Sequence, residues 1–328
     1  MSSALNRMLA SIMAVRGIAA MVLAMGLFIT NDTLLKLTVQ ELPIGEALAI
    51  RSFLSVFLIL AVIVQAGDGR VLFHAFRLRV FSRSVLDSLT SVSYVAALAV
   101  MPIAASTTIY LAAPLITTAL AVPLLGEKVS WKGWCAVLVG FSGAVVVMRP
   151  DPATFSLMAL LPLLAAALGS VRDITTRGIG MEIPGTVVTF SAAVTLTLTG
   201  LGMGAWEEWQ MPSVTALTYI VVAAFAFTGG TLALVYAFRN APVVAVSPLR
   251  YLLVFGALVS GFFVFGETLD GWTAVGMALV VSSGLYAIQS ERLRSREERR
   301  QRAIQVVPES GAPGVALAHA AVALPPKD

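Results

Sequence analysis

The chain alternates long apolar runs with short polar segments, and each run is long enough to cross a lipid bilayer. The runs fall at 17–37, 46–65, 82–101, 103–125, 131–149, 156–177, 184–204, 214–238, 242–265 and 271–289. An α-helix needs roughly 20 residues to cross a ~30 Å hydrocarbon core. The pattern therefore predicts an all-α membrane protein with ten transmembrane helices. The first run is too long and too polar inside for a cleaved signal peptide and lacks a small-residue cleavage site, so it is read as helix one. Only Met101-Pro102 separates the third run from the fourth, which predicts a tight turn at a proline. Prolines inside the runs (Pro114, Pro123, Pro162, Pro248) are tolerable because neighbouring helices can satisfy the freed backbone groups.

The pattern also repeats about 140 residues apart. Pro102, Gly126 and Glu127 reappear as Pro242, Gly266 and Glu267. Trp131 and Ser142-Gly143 reappear as Trp272 and Ser283-Gly284, one residue later in the second copy. Five spans per copy is an odd number, so the second copy enters the membrane from the opposite face. The expected architecture is two inverted five-helix repeats, 17–149 and 156–289, with a pseudo-two-fold axis in the membrane plane. Segment 1–16 precedes them. A basic segment, 290–328, follows, with 303–328 expected to be disordered.

Composition supports the membrane reading. Hydrophobic residues make up 58% of the chain and charged residues only 12%, against about 25% charged in a typical soluble domain. The net charge of +4 does not point to nucleic acid, because the basic residues lie in short loops and in the tail. With the N-terminus in the cytoplasm, Arg7, Arg16, Arg70, Arg77, Arg79, Lys128 and Arg239 all fall inside, while Glu41, Asp151, Glu207, Glu208 and Asp270 fall outside. Both termini are therefore expected in the cytoplasm of a bacterial inner-membrane protein. Cys135 is the single cysteine, and His74 and His319 lie outside the spans, so no disulfide, metal set or catalytic triad is expected. No nucleotide-hydrolysing lysine motif is present. No cofactor is expected, and the chain is not read as an enzyme.

Charge inside a span is costly, at about 2.5–3.5 kcal/mol per residue near a helix centre on insertion scales. Each such residue needs a partner, water or a role. Asp32 and Lys36 stand four apart on one face of helix one and can pair directly. Glu46 and Arg51 belong to the same end of the bundle. Arg172, Asp173 and Arg177 form a repeat-related cluster in helix six, and Asp87 is expected near it. These eight residues read either as structural ion pairs or as gates and proton-coupling groups. Arg250 lies close to mid-membrane, and its planar guanidinium suits a carboxylate or phosphate. It is a candidate substrate-binding residue, together with Tyr251, Tyr110, Tyr94 and Tyr236, whose rings can stack on a flat solute. Gly126 and Gly266 are expected helix C-caps, with Glu127 and Glu267 bonding loop backbone or a neighbouring helix.

The stretches Ala104 to Gly143 and Val244 to Gly284, with a weaker match at Asn31 to Arg51, resemble the EamA-type transporters of the drug/metabolite transporter superfamily. The resemblance covers roughly residues 17–289. It implies a secondary transporter for a small polar or amphipathic metabolite, such as an amino acid, a vitamin, a nucleotide-like compound or a drug, with protons as the candidate coupling ion. It also implies a cavity lined mainly by the third, fourth, eighth and ninth helices, and alternating access by rocking of four-helix groups. The Asp-Thr-Leu-Leu-Lys run at 32–36 resembles that of members carrying riboflavin or S-adenosylmethionine. The alternatives are a membrane helper subunit without transport of its own, or an intramembrane enzyme. The expected partners are a small-molecule substrate and the lipid bilayer. Tags placed at the two ends are expected to react with membrane-impermeant reagents only after the cell membrane is opened; labelling of one end in intact cells would exclude the topology.

Overall fold

The computed structural model describes residues 2–125, 131–148, 157–180, 182–240 and 246–305. Among these, the chain forms eleven α-helices and three 3-10 segments, with no strand. The helices are α1 (Ser2–Thr38), α2 (Ile44–Ala66), α3 (Leu78–Val100), α4 (Ile103–Tyr110), α5 (Ala113–Leu125), α6 (Trp131–Met148), α7 (Leu161–Arg177), α8 (Gly185–Met203), α9 (Val214–Asn240), α10 (Leu252–Phe265) and α11 (Gly271–Gln305). Seven segments are long and apolar enough to cross a membrane: Val15–Thr38, Ile44–Ala66, Ile103–Leu124, Trp131–Met148, Gly185–Met203, Val214–Phe238 and Pro248–Phe265. α3 and α7 carry Arg83 and Asp87, and Arg172 and Asp173, and are not among them. α11 contributes a shorter apolar stretch, Gly271–Ala287. It then continues as helix through the charged run at 291–300, where the sequence pattern ended the span.

The turn at Met101-Pro102 is as tight as expected, with α3 ending at Val100 and α4 beginning at Ile103. The fourth run differs from its expectation of one continuous helix, because it breaks at Leu111–Ala112. Pro114 supplies the reason. It has no N–H to give the Tyr110 carbonyl, and its ring crowds that same carbonyl. The second copy is interrupted at the repeat-related place, where a 3-10 turn, Ser247–Tyr251, passes into α10 at Leu252. Tyr110 and Arg250 therefore occupy matching positions at two helix discontinuities. Gly266 fulfils its expected cap, with φ of 64° and the Glu267 N–H on the Gly261 carbonyl at 2.8 Å. Gly126 and Glu127 lie outside the described residues.

The helices pack in cross-copy pairs. α1 lies along α9 and α3 along α7, α2 faces α8, α4 faces α10, and α6 faces α11. α1 also meets α10 while α4 and α5 meet α7, and α3 meets α8 while α2 meets α9. Exchanging each span with its counterpart in the other copy maps this set of pairs onto itself. Large apolar side chains such as Phe53, Phe57, Phe262 and Phe263 point outward, a surface that suits lipid and not water.

Small residues set the closest approaches, as is usual where helices meet in lipid. A side chain at Gly143 would meet the Gly276 carbonyl at 2.8 Å, and one at Gly276 would meet the Gly143 carbonyl at 2.7 Å. Gly200 meets the Gly45 carbonyl in the same way, at 2.6 Å. Gly143→Val is expected to force α6 and α11 apart and to cost about 1–3 kcal/mol, the usual range for overpacking. Thermal unfolding in detergent checks this, with Gly26→Ala, which has open space, as the control.

Candidate functional site

A cavity of about 510 Å³ opens between the two copies, within the roughly 300–1,000 Å³ of small-molecule sites. It is lined from α1, α2, α3, α4, α7, α8, α9 and the turn leading into α10, so both discontinuities border it. Helical spacing decides which side chains reach it. On α3 the lining residues Arg83, Asp87, Thr90, Ser91 and Tyr94 form one stripe. On α9 the stripe is Phe227, Thr231, Leu234 and Phe238.

Charge is concentrated at two places on the wall. On one side Asp87 Oδ1 accepts from Arg172 Nη1 at 2.7 Å, while Arg83 Nη1 stands 3.4 Å from Asp87 Oδ2. Arg172 also holds Asp173 Oδ1, through Nη2 at 2.8 Å and Nε at 3.0 Å. Asp87 thus joins the α7 cluster, as expected. The side chain of Arg177 lies outside the described residues.

The other side is a hydrogen-bonded chain crossing four helices. Arg51 Nη1 donates to Asn31 Oδ1 at 3.1 Å, and Asn31 Nδ2 donates to Asp32 Oδ1 at 2.9 Å. The Tyr94 hydroxyl lies 3.1 Å from Asp32 Oδ2 and 3.0 Å from Thr107 Oγ1. Arg51 is 2% exposed and rests over the Phe227 ring, 4.4 Å from its centre. Its Nε has no hydrogen-bond partner among the described residues. Tyr94 and Tyr110 pack ring to ring with centres 4.9 Å apart.

Lys36 does not pair with Asp32. Its ammonium lies 3.0 Å from Glu267 Oε1 and also donates to the Met101 carbonyl. Glu267 in turn accepts the Ile103 N–H at 3.0 Å, capping the N-terminus of α4. One carboxylate thus clasps α1, α4 and the α10–α11 turn, and an acceptor on the α4 N-terminus gains from its backbone dipole as well. Glu46 is buried but sits away from the cavity, accepting the Gln210 N–H at 3.2 Å.

Arg250 reaches the cavity and has neither an ion pair nor a hydrogen bond among the described residues. Four arginines (51, 83, 172, 250) therefore face three aspartates (32, 87, 173) across the lining. Two of the candidate tyrosines are elsewhere. Tyr251 is 7% exposed and lies in the apolar core against Gly284. Arg250 lines the cavity, whereas the neighbouring Tyr251 does not. Tyr236 is off the α9 stripe, half-way round from Phe227, and is 44% exposed. Asn31 and Thr107, which link the charged groups, were not among the sequence candidates. A neutral amide and a hydroxyl in an apolar run raise no charge alarm; only the positions next to Asp32 and three before Tyr110 pointed to them.

Residues 15–149 match the model of the EamA-like transporter family. A protein of Rickettsia prowazekii (strain Madrid E) named S-adenosylmethionine uptake transporter is 27% identical over 267 residues, covering 80% of this chain and 88% of its own. A protein of Rhizobium johnstonii named riboflavin transporter is 27% identical over 220 residues, covering 67% of this chain and 72% of its own. A crystal structure of a further protein shares the fold with a TM-score of 0.58 at 20% identity, covering 86% of this chain and 99% of that one. Residues 15–149 thus carry the EamA-like transporter match, and over most of its length the chain is similar to proteins named as transporters of small metabolites.

Proposed function

We propose that the protein is a secondary transporter that moves a small metabolite bearing a carboxylate or other anionic group across the bacterial inner membrane. The observation that carries the reading is Arg250, a guanidinium without an ion pair or hydrogen bond among the described residues, at a helix discontinuity facing the cavity. A guanidinium without a counter-ion in such a place is costly, and a bound anion would supply its fork with two acceptors. The tyrosine pair Tyr94–Tyr110 offers rings for a flat portion of the solute. The names of the relatives make S-adenosylmethionine, which carries a carboxylate, the first solute to test, with riboflavin, a flat solute without an anionic group, as the comparison.

The exchange-invariant helix pairing supports ten spans in two inverted copies, and with it alternating access through rocking of one copy on the other. α3 and α7 then cross the membrane despite their charges, because those charges pair with each other and face the cavity. Both termini are cytoplasmic in this arrangement. The Lys36–Glu267 clasp closes the outer mouth, and the Asp87–Arg172–Asp173 cluster narrows the inner one. Asp32 is the coupling group, because Asp87 and Asp173 are held by arginine and Glu46 by a loop N–H. No catalytic role is assigned to any residue.

Purified protein in liposomes is expected to take up a solute of this class against its gradient when the lumen is alkaline, and a protonophore is expected to stop it. Turnover without flux would replace the carrier by an enzyme. Arg250→Gln removes charged hydrogen bonds of about 1.5–3 kcal/mol and should raise the half-saturation concentration roughly 10–100-fold, with Arg250→Lys intermediate. In a Cys135→Ser background carrying Ser91→Cys on the cavity wall, Glu267→Gln should speed labelling by an impermeant thiol reagent added outside. An unchanged labelling rate would remove the clasp from the outer mouth.

A further inference from the structure

We infer that Asn31 is a positioning residue, whose amide holds the Arg51 guanidinium off the Asp32 carboxylate and so leaves that carboxylate free to bind and release a proton. The inference rests on the reading of Asp32 as the coupling group. Arg51 is buried and has no carboxylate within ion-pair distance among the described residues, yet its one hydrogen-bond acceptor, Asn31, is the chain neighbour of Asp32. A guanidinium only donates and an ionised carboxylate only accepts. The amide between them therefore has one permissible orientation, Oδ1 to Arg51 and Nδ2 to Asp32. It lies as an aligned dipole between opposite charges and keeps them from contact.

The separation matters because of what a guanidinium cannot do. The other contact of Asp32 runs to the Tyr94 hydroxyl, which also touches Thr107. A hydroxyl both donates and accepts. With Asp32 ionised, Thr107 donates to Tyr94 and Tyr94 donates to Oδ2. With a proton on Oδ2, the carboxylic acid donates to Tyr94 and Tyr94 donates to Thr107. Every group stays bonded in both states. A guanidinium clasping the carboxylate would have no such reversal, since it would face an acid O–H with another donor. Asn31 occupies Oδ1 alone and leaves Oδ2 to the reversible pair.

The other charged or titratable groups facing the cavity are Arg83 and Asp87 on α3, Tyr110 on α4, Arg172 and Asp173 on α7, and Arg250 before α10. α8 and α9 line it with threonine, alanine, leucine and phenylalanine. Arg83, Asp87, Arg172 and Asp173 are engaged with one another. Arg51 is thus the cation that Asn31 keeps from Asp32.

Infrared difference spectra of the purified full chain on acidification test this without a known substrate. The wild type should show a carboxylic-acid carbonyl band that Asp32→Asn removes. Asn31→Ala should also remove it, together with the response of S-adenosylmethionine or riboflavin uptake to a pH gradient. Asn31→Gln, which keeps a donor and an acceptor, should retain the band. The double variant Asn31→Ala/Arg51→Gln should recover it, because no guanidinium is left to reach Asp32; a merely structural asparagine would not be rescued this way. A band that persists in Asn31→Ala, or that stays absent in the double variant, overturns the inference. Absence of an Asp32-dependent band in the unmodified chain sinks the coupling reading itself, and is recognised by needing no change at Asn31.

Discussion

Charge that must be carried through an apolar medium governs this structure. A chain with 12% charged residues still places seven ionisable arginines and aspartates around one cavity. Neighbours or bound solvent must compensate each of them, since an isolated ion away from water costs several kcal/mol. The helices that supply them are accordingly the ones drawn to the interior. α3 and α7, too polar to be recognised by hydropathy, pack along each other and join through Asp87 and Arg172. α6 and α11 carry no cavity charge and form the flank, held by glycine contacts. Every helix that brings an arginine or aspartate to the lining borders the cavity, and uncharged stretches of α4, α8 and α9 complete its wall.

The two helix discontinuities serve the same requirement. A continuous helix consumes its own carbonyls and presents only side chains. Where Pro114 interrupts the fourth run and the 3-10 turn precedes α10, a side chain that lines the cavity stands at each break. One is neutral, Tyr110, and the other is charged, Arg250. The two breaks therefore present an unsymmetrical pair of groups to one space.

The apolar runs and the turn at Met101-Pro102 were legible in the sequence because they depend on local composition. Gly266 and Glu267 were legible too, since a left-handed cap and an exposed N-terminus make general demands. Partner choice was not. Asp32 and Lys36 share a helix face, but four-residue spacing only permits a contact, and Glu267 offers Lys36 a position where the carboxylate also caps α4. Tyr251 was misplaced because its ring is taken up by the apolar core against Gly284, a packing that sequence spacing does not reveal. Asn31 escaped notice because neutral amides are inconspicuous in sequence, and their importance appears only when the groups at both ends are seen.

The Lys36–Glu267 pair ties α1 and α4 to the α10–α11 turn, and neither residue lines the large cavity. The contacts that tie these helix ends together and the side chains that line the cavity are thus separate sets. Substitutions in the lining can therefore change what the cavity accepts while leaving that tie in place.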